Sequence, residues 1–266
     1  MSRLETRFAK LKGEGRAAFV AYVMGGDPGP EISLEILKGL PGAGADVIEL
    51  GLPFSDPMAE GPPIQKAAQR ALLAGTKLRD VLGLAAAFRK DDNETPIVLM
   101  GYLNPILSMG FETFAAEAAA AGIDGLIVVD CPYEEGDSLT DALDANGVSL
   151  IRLVTPTTDD ERLKLVAHRT SGFVYYVSVA GVTGVKEAVA ADVAPAVERV
   201  RKATGLPVAV GFGIKTPERA AEVARVADAV VVGSALVDII AEAKDPVREV
   251  LASAKALGDA VRAARK

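Results

Sequence analysis

The chain has 266 residues, half of them apolar, a size that buries a substantial core without disulfides or metals. Its 36 acidic against 29 basic side chains leave a formal charge of -7, which opposes binding to a phosphate backbone, and no Lys/Arg cluster interleaved with aromatics offsets it. The single Cys131 excludes an internal disulfide framework, and with neither an apolar leader nor a run near the roughly 20 apolar residues of a membrane span, a cytoplasmic location is expected.

The opening residues are charged, with Leu4, Phe8 and Leu11 at helical spacing, which predicts an N-terminal helix. From there, short apolar and β-branched runs alternate with Ala/Leu-rich helical patterns. Runs 17–22 and 46–51 flank a helical segment at 30–40, and two further helical segments, 64–73 and 78–89, precede the third run at 96–102. Runs 125–129, 149–155, 173–178, 207–212 and 228–232 follow, separated by helical patterns at 111–121, 139–146, 159–168, 193–203 and 217–226. Helix-start signals introduce several of these, as with Thr157 and Thr158 before the acidic residues 159–161, and Thr216 before Pro217. A last amphipathic pattern covers 246–265.

Strict alternation implies a parallel sheet. Eight strand runs in one chain of this length predict an α/β fold, a (β/α)8 TIM barrel, with extra helices at the N-terminus, after the second strand and at the C-terminus. A doubly wound sheet fits less well, because the first turn, Met24-Gly-Gly-Asp-Pro28, lacks a dinucleotide fingerprint. No linker or composition break divides the chain, so residues 1–266 read as a single domain.

In such barrels the chemistry sits at the carboxyl ends of strands. The segment Asp46-Val-Ile-Glu-Leu-Gly51 puts Val47, Glu49 and Gly51 on one strand face and Ile48 and Leu50 on the other. A carboxylate on an otherwise small or apolar face is desolvated, which raises its pKa toward the range useful for general acid/base work. The alternative is a structural ion pair with Arg152 in the fifth run. Three later turns are Gly-rich, at 180–184, 211–214 and 233–234, and backbone N–H groups there suit an anion, with conformational need as the plainer reason for each glycine.

Absences narrow the field. No Lys lies in a strand run, so no strand-borne Schiff-base lysine offers itself, and His168 sits in a helical pattern where a surface or capping role is the plain reading. One His and one Cys cannot build a zinc site, and no metal is expected.

Five blocks, Phe19 to Pro28, Glu49-Leu-Gly-Leu-Pro-Phe-Ser-Asp-Pro57, Gly101-Tyr-Leu-Asn-Pro105, Ala180-Gly-Val-Thr-Gly184 and Gly211-Phe-Gly-Ile214, resemble the tryptophan synthase alpha subunit family in order and spacing over nearly the whole chain. The resemblance implies retro-aldol cleavage of indole-3-glycerol phosphate to indole and glyceraldehyde 3-phosphate. It assigns catalysis to Glu49, Glu60 and Tyr175, with Glu60 standing where the family ordinarily has Asp. Substrate contacts fall to Tyr22, Met100, Tyr102, Ile127, Thr183 and Phe212, and the phosphate to Gly184, Gly213, Gly233 and Ser234. Asp56, Pro57 and Asn104 are expected to face a beta subunit in an αββα heterotetramer. The resemblance implies no cofactor in this chain and pyridoxal phosphate in that partner. Rival expectations are another phosphate-binding barrel isomerase and a catalytically silent allosteric partner of the beta subunit; intact Glu49 argues against the second.

Overall fold

The computed structural model describes residues 1–178, 190–211 and 213–265. Helix α1 (Arg3–Gly13) leads into β1 (Ala18–Met24), α2 (Pro30–Gly39), β2 (Val47–Gly51) and the helix pair α3 (Pro62–Leu73) and α4 (Leu78–Arg89). Next come β3 (Ile97–Gly101), α5 (Leu103–Met109), α6 (Phe111–Ala120), β4 (Gly125–Val128), a 3-10 turn (Tyr133–Glu135) and α7 (Asp137–Ala145). The chain continues through β5 (Ser149–Ile151), β6 (Leu153–Val154), α8 (Asp160–His168), β7 (Val174–Val177) and α9 (Ala190–Thr204). It finishes with β8 (Val208–Gly211), α10 (Pro217–Ala224), β9 (Ala229–Val232), α11 (Ser234–Glu242) and α12 (Pro246–Ala263).

All pairings are parallel, in the order β5-β4-β3-β2-β1-β9-β8-β7-β6, so β1 lies between β2 and the last strand. The ends of that order, β5 and β6, are separated in sequence only by Arg152, and the chain itself joins them. This is the predicted TIM barrel, with one correction. The fifth run holds two short strands, not one: Leu150 and Ile151 pair with β4, whereas Leu153 and Val154 pair with β7. At the switch the Tyr175 N–H donates to the Arg152 carbonyl at 3.1 Å. Hydropathy is continuous through 149–155 and does not report where a strand exchanges neighbours.

Two helices also depart from expectation. Asn104-Pro105, which falls outside every predicted helical pattern, lies in the first turn of α5, where proline gives up no intrahelical N–H donor. Helix α11 begins directly at Ser234 in what reads as a Gly turn, and its Ser-Ala-Leu-Val-Asp-Ile-Ile run carries a single charged residue, Asp238.

The alternation of β2 divides the core in two. Ile48 and Leu50 pack outward against the helices, while Val47 joins Val20, Val98, Ile127 and Val231 inside the barrel. Helix α1 closes the amino end of that interior with Leu4, Phe8 and Leu11, and the Phe8 ring lies 5.6 Å from that of Phe173. A reciprocal cap starts α1: the Glu5 N–H donates to Ser2 Oγ, and the Ser2 N–H donates to the Glu5 carboxylate.

The amino rim carries a repeated device. Asp46, Asp124 and Asp228 each stand one residue before a strand and each accept an N–H from a neighbouring strand or its approach, of Phe19 (3.0 Å), Ile97 (2.8 Å) and Val208 (2.9 Å) respectively. Each is also paired with arginine. Arg16 grips both oxygens of Asp46 at 2.8 Å, Arg89 reaches Asp124 at 2.7 Å, and Arg201 reaches Asp228 at 3.1 Å.

Candidate active site

At the opposite end, β1, β2, β3, β7 and the turns after β8 and β9 surround a pocket of about 560 Å³, counting its open mouth. Tyr22, Glu49, Met100 and Tyr175 contribute from the strands, and Glu60 and Ile64 from the segment after β2. Gly213, Ile214, Lys215, Gly233 and Ser234 close the far side.

Two glycines set the tyrosines. A Cβ at Gly51 would lie 2.4 Å from the Tyr22 hydroxyl, and one at Gly211 would lie 2.0 Å from the Tyr175 hydroxyl, so both rings reach across strand ends that any larger residue would block. Tyr22 and Glu49 are register partners on adjacent strands. Burial first, and the two glutamates second, push both phenols well above their ordinary pKa, which keeps them neutral O–H donors.

Glu49 is buried on the interior face of β2, and its Oε2 has no hydrogen-bond partner. Burial, with a further contribution from Glu60, raises its pKa to about 8. Glu60 is buried too, and desolvation lifts it to about 7. Two carboxyls that feel each other near neutral pH favour a state with one proton between them, held by the group with the higher pKa. The ion pair between Glu49 and Arg152 is not formed. Glu49 faces the barrel interior, whereas Arg152 projects from the other side of the wall, over the Tyr133 ring.

The loop that carries Glu60 is held from several sides. The Ala59 N–H donates to the Tyr102 hydroxyl at 2.9 Å, and the Tyr102 ring stacks on Phe54 at 5.1 Å. The Glu60 N–H donates to the Pro57 carbonyl, and Gln65 Nε2 donates to the Glu60 carbonyl at 3.0 Å. Behind it, Arg70 of α3 forms a bidentate pair with buried Asp27 at 2.7 Å, tying α3 to the loop after β1.

Of the residues expected from sequence, Glu49, Glu60, Tyr175, Tyr22, Met100, Gly213, Gly233 and Ser234 converge on this pocket. Tyr102 does not line it but supports the Glu60 loop, and Ile127 is fully buried in the barrel interior. Thr183, Gly184 and Phe212 lie outside the described residues. Asp56 and Asn104 are exposed and Pro57 half-buried on the outer side, beside exposed Met58 and Leu107. Sequence reasoning missed Ile64 and Lys215; a lysine two positions past Gly213 was the available signal for the second, a cation just behind a Gly-rich turn.

The family profile described as "Tryptophan synthase alpha chain" matches residues 8–266. The tryptophan synthase alpha chain of Phenylobacterium zucineum (strain HLK1) is 69% identical over 269 residues, covering 100% of this chain and 97% of that protein. That of Caulobacter vibrioides (strain NA1000 / CB15N) is 67% identical over 267 residues, covering 99% and 97%. Among solved structures, tryptophan synthase subunit alpha from Legionella pneumophila str. Paris superposes with a TM-score of 0.92 at 43% identity, covering 98% of each chain.

Proposed function

The chain belongs to the tryptophan synthase alpha chain family, and from that membership we infer that it is the lyase subunit that cleaves indole-3-glycerol phosphate to indole and glyceraldehyde 3-phosphate. As an alpha chain it works in complex with a beta subunit. An αββα arrangement, with pyridoxal phosphate in the beta subunit and none in this chain, is part of the same reading.

Glu49, protonated near neutral pH, gives its proton to C3 of the indole ring. That step turns the ring into an iminium-like electron sink. The bond from C3 to the glycerol carbon breaks, its electron pair returns to the ring, and the adjacent hydroxyl becomes the aldehyde as Glu49, now a carboxylate, takes its proton. Proton count is unchanged over the cycle. Glu60, ionised, accepts the indole N–H and offsets the positive charge that develops there. Tyr175 and Tyr22 donate O–H groups beside Glu49, and Met100 and Ile64 supply apolar walls for the ring. Gly213, Gly233 and Ser234 cradle the phosphate with Lys215 alongside, and Thr183, Gly184 and Phe212 join this set by sequence resemblance. Tyr102 positions Glu60 through Ala59, Ile127 supports the pocket from the interior, and Asp56, Pro57 and Asn104 face the beta subunit.

The observation that carries this reading is a pair of buried carboxyls that line one pocket, Glu49 with an unpartnered oxygen and Glu60, both of which burial raises toward neutral pH. Indole release from indole-3-glycerol phosphate, measured with and without beta subunit, tests it. Release that beta subunit accelerates is expected, and no release under either condition refutes it.

A further inference from the structure

Helix α3 begins two residues after Glu60 and contributes Ile64 to the pocket, yet its inward face is nearly smooth. Ile64, Ala67, Ala68 and Ala71 are buried on Tyr22 and Met24 of β1 and on Val237 of α11. Alanines let a helix approach its neighbours closely, but they offer no side chains that interlock with them. Apolar burial along this face therefore holds α3 down without fixing its rotation or its position along its axis.

One polar contact fixes both. Arg70, in the third turn of α3, directs Nε and Nη2 at the two oxygens of Asp27, each at 2.7 Å. Among the described residues this is the one ion pair that α3 makes, and the Asp27 side chain has no exposed surface while that of Arg70 keeps 29%. The Asp27 end is itself anchored. The Gly26 N–H donates to Ser33 Oγ of α2 at 2.9 Å, and Gly26 packs so closely on Thr76, just beyond α3, that a Cβ there would lie 2.2 Å from the Thr76 hydroxyl. A guanidinium fork on both oxygens of a fixed carboxylate admits one orientation. Burial of Asp27 opposes its charge and offsets much of the attraction, so the pair contributes geometry more than stability. The link back to Glu60 is Gln65, in the first turn of α3, whose Nε2 donates to the Glu60 carbonyl at 3.0 Å.

We propose that Arg70 is a positioning residue for the cleavage reaction: through Asp27 it fixes the seat of α3, and through α3 the place of Glu60 at the pocket wall. This rests on the reading of Glu60 given above. The test measures indole release by the full chain in complex with beta subunit. Arg70→Lys keeps the charge that Asp27 needs, and hence the fold, but loses the fork. Because a shift of about 1 Å at a group that meets the substrate costs up to about 10²-fold, kcat is expected to fall at least about fivefold. KM should stay within about twofold, since Gly213, Gly233 and Ser234, proposed to hold the phosphate, lie in other elements. A displaced Glu60 gains water, which lowers its pKa from about 7, so the acid limb of kcat/KM should move down by at least about half a pH unit. The other ionisable groups around Glu60 are Glu49 from β2, Tyr22 from β1, Tyr102 at the start of α5, Tyr175 from β7 and Lys215 after β8, and the substitution leaves each of them in place. The deciding readout is the double variant. In a Glu60→Ala background, Arg70→Lys should cost less than about twofold more in kcat, because the group it places is gone. Should Arg70→Lys fail to fold, Asp27→Asn combined with Arg70→Gln, which removes both charges and keeps polar side chains, carries the same expectations. The proposal is overturned by a kcat equal to wild type, by a loss that appears in KM, by an acid limb that stays in place, or by losses that multiply in the double variant. A Glu60→Ala variant with wild-type kcat would instead refute the reading of Glu60 itself, and this proposal with it.

Discussion

Asp46, just before β2, and Glu49, at the middle of that strand, are three residues apart, about 10 Å from each other at the rise of extended chain, and their surroundings treat them in opposite ways. Asp46 is met by Arg16 at both oxygens and by the Phe19 N–H, so its charge is matched within the rim. Glu49 is buried to a similar degree yet keeps an unpartnered oxygen, and its nearest ionisable influence is another carboxyl, Glu60. The same division holds around the ring, where Asp124 and Asp228 repeat the arginine-matched arrangement at the amino end. Burial alone therefore decides nothing about a carboxylate's role. A matched partner makes it structural, and a missing one leaves it poised to exchange a proton.

Breaking the unpaired end should cost activity. Glu49→Gln keeps the shape and removes the transferable proton, so indole formation is expected to fall at least about 10²-fold in steady-state assays, with the fold intact by circular dichroism. Retention of more than about a tenth of the activity would remove Glu49 from the acid/base role. Breaking the paired end should instead cost stability. Asp46→Asn removes the buried charge that Arg16 grips and leaves Arg16 only the more exposed Glu14, and urea denaturation is expected to show a loss of about 3 kcal/mol, while the folded fraction keeps its kcat. A variant as stable as wild type would show that the rim pairs are ornamental.

Acid and base sharpen the contrast further. In the folded protein Glu49 and Glu60 hold protons, with pKa values of about 8 and about 7, that the unfolded chain releases near the ordinary carboxyl value of 4.5. Native protein therefore binds more protons than unfolded chain across that window, so these two groups make stability fall as pH rises from about 4.5 to about 8, and flatten beyond it. Glu49→Gln should melt close to wild type at pH 4 and several degrees higher at pH 9. The kcat/KM of wild type should peak between about 7 and about 8, falling on the acid side as Glu60 takes a proton and on the alkaline side as Glu49 loses one. Glu60→Ala should lose about tenfold or more in kcat, because charge at the indole nitrogen is left uncompensated, and Glu60→Asp should stay active. Equal rates for wild type and the Ala variant would mean that Glu60 does not meet the ring.

Much of this was legible in the sequence because it depends on period. The two-residue alternation of Val47, Glu49 and Gly51 put the glutamate on one face with small and apolar neighbours, the face that turns into the barrel, and the helix-start residues around Thr216 and Pro217 marked α10 correctly, with Thr216 capping the Arg219 N–H. What failed depends on contacts distant in sequence. Nothing local distinguishes an Arg152 that pairs with Glu49 from one that projects through the other face of the wall, since only the register of β5 and β6 fixes that direction. Tyr102 drew attention as a substrate contact, yet its hydroxyl receives the N–H of Ala59, 43 residues earlier. Lys215 and Ile64 likewise acquire a role only when the turn after β8 and the start of α3 come to the same pocket. Propensity signals a segment's state, and the fold alone signals its neighbours.

The smallest expected effect concerns the side of the pocket proposed to hold the phosphate, and it separates a group that binds from one that reacts. Ser234 opens α11 directly after Gly233, half-buried at the pocket edge, so its hydroxyl is one donor among several backbone N–H groups and the positive end of the helix dipole. The phosphate keeps its charge throughout cleavage, so a donor to it stabilises ground and transition states alike. Ser234→Ala should therefore raise KM about fivefold, the equivalent of about 1 kcal/mol for one hydrogen bond, and leave kcat unchanged. Stability should also be unchanged, because the methyl-sized replacement leaves the helix start and its backbone donors in place. Steady-state kinetics over a wide substrate range decide the matter. A fall in kcat that matches the fall in kcat/KM would mean that the hydroxyl feels the reacting state, and would move Ser234 from the binding side of the pocket to the chemical side occupied by Glu49 and Glu60.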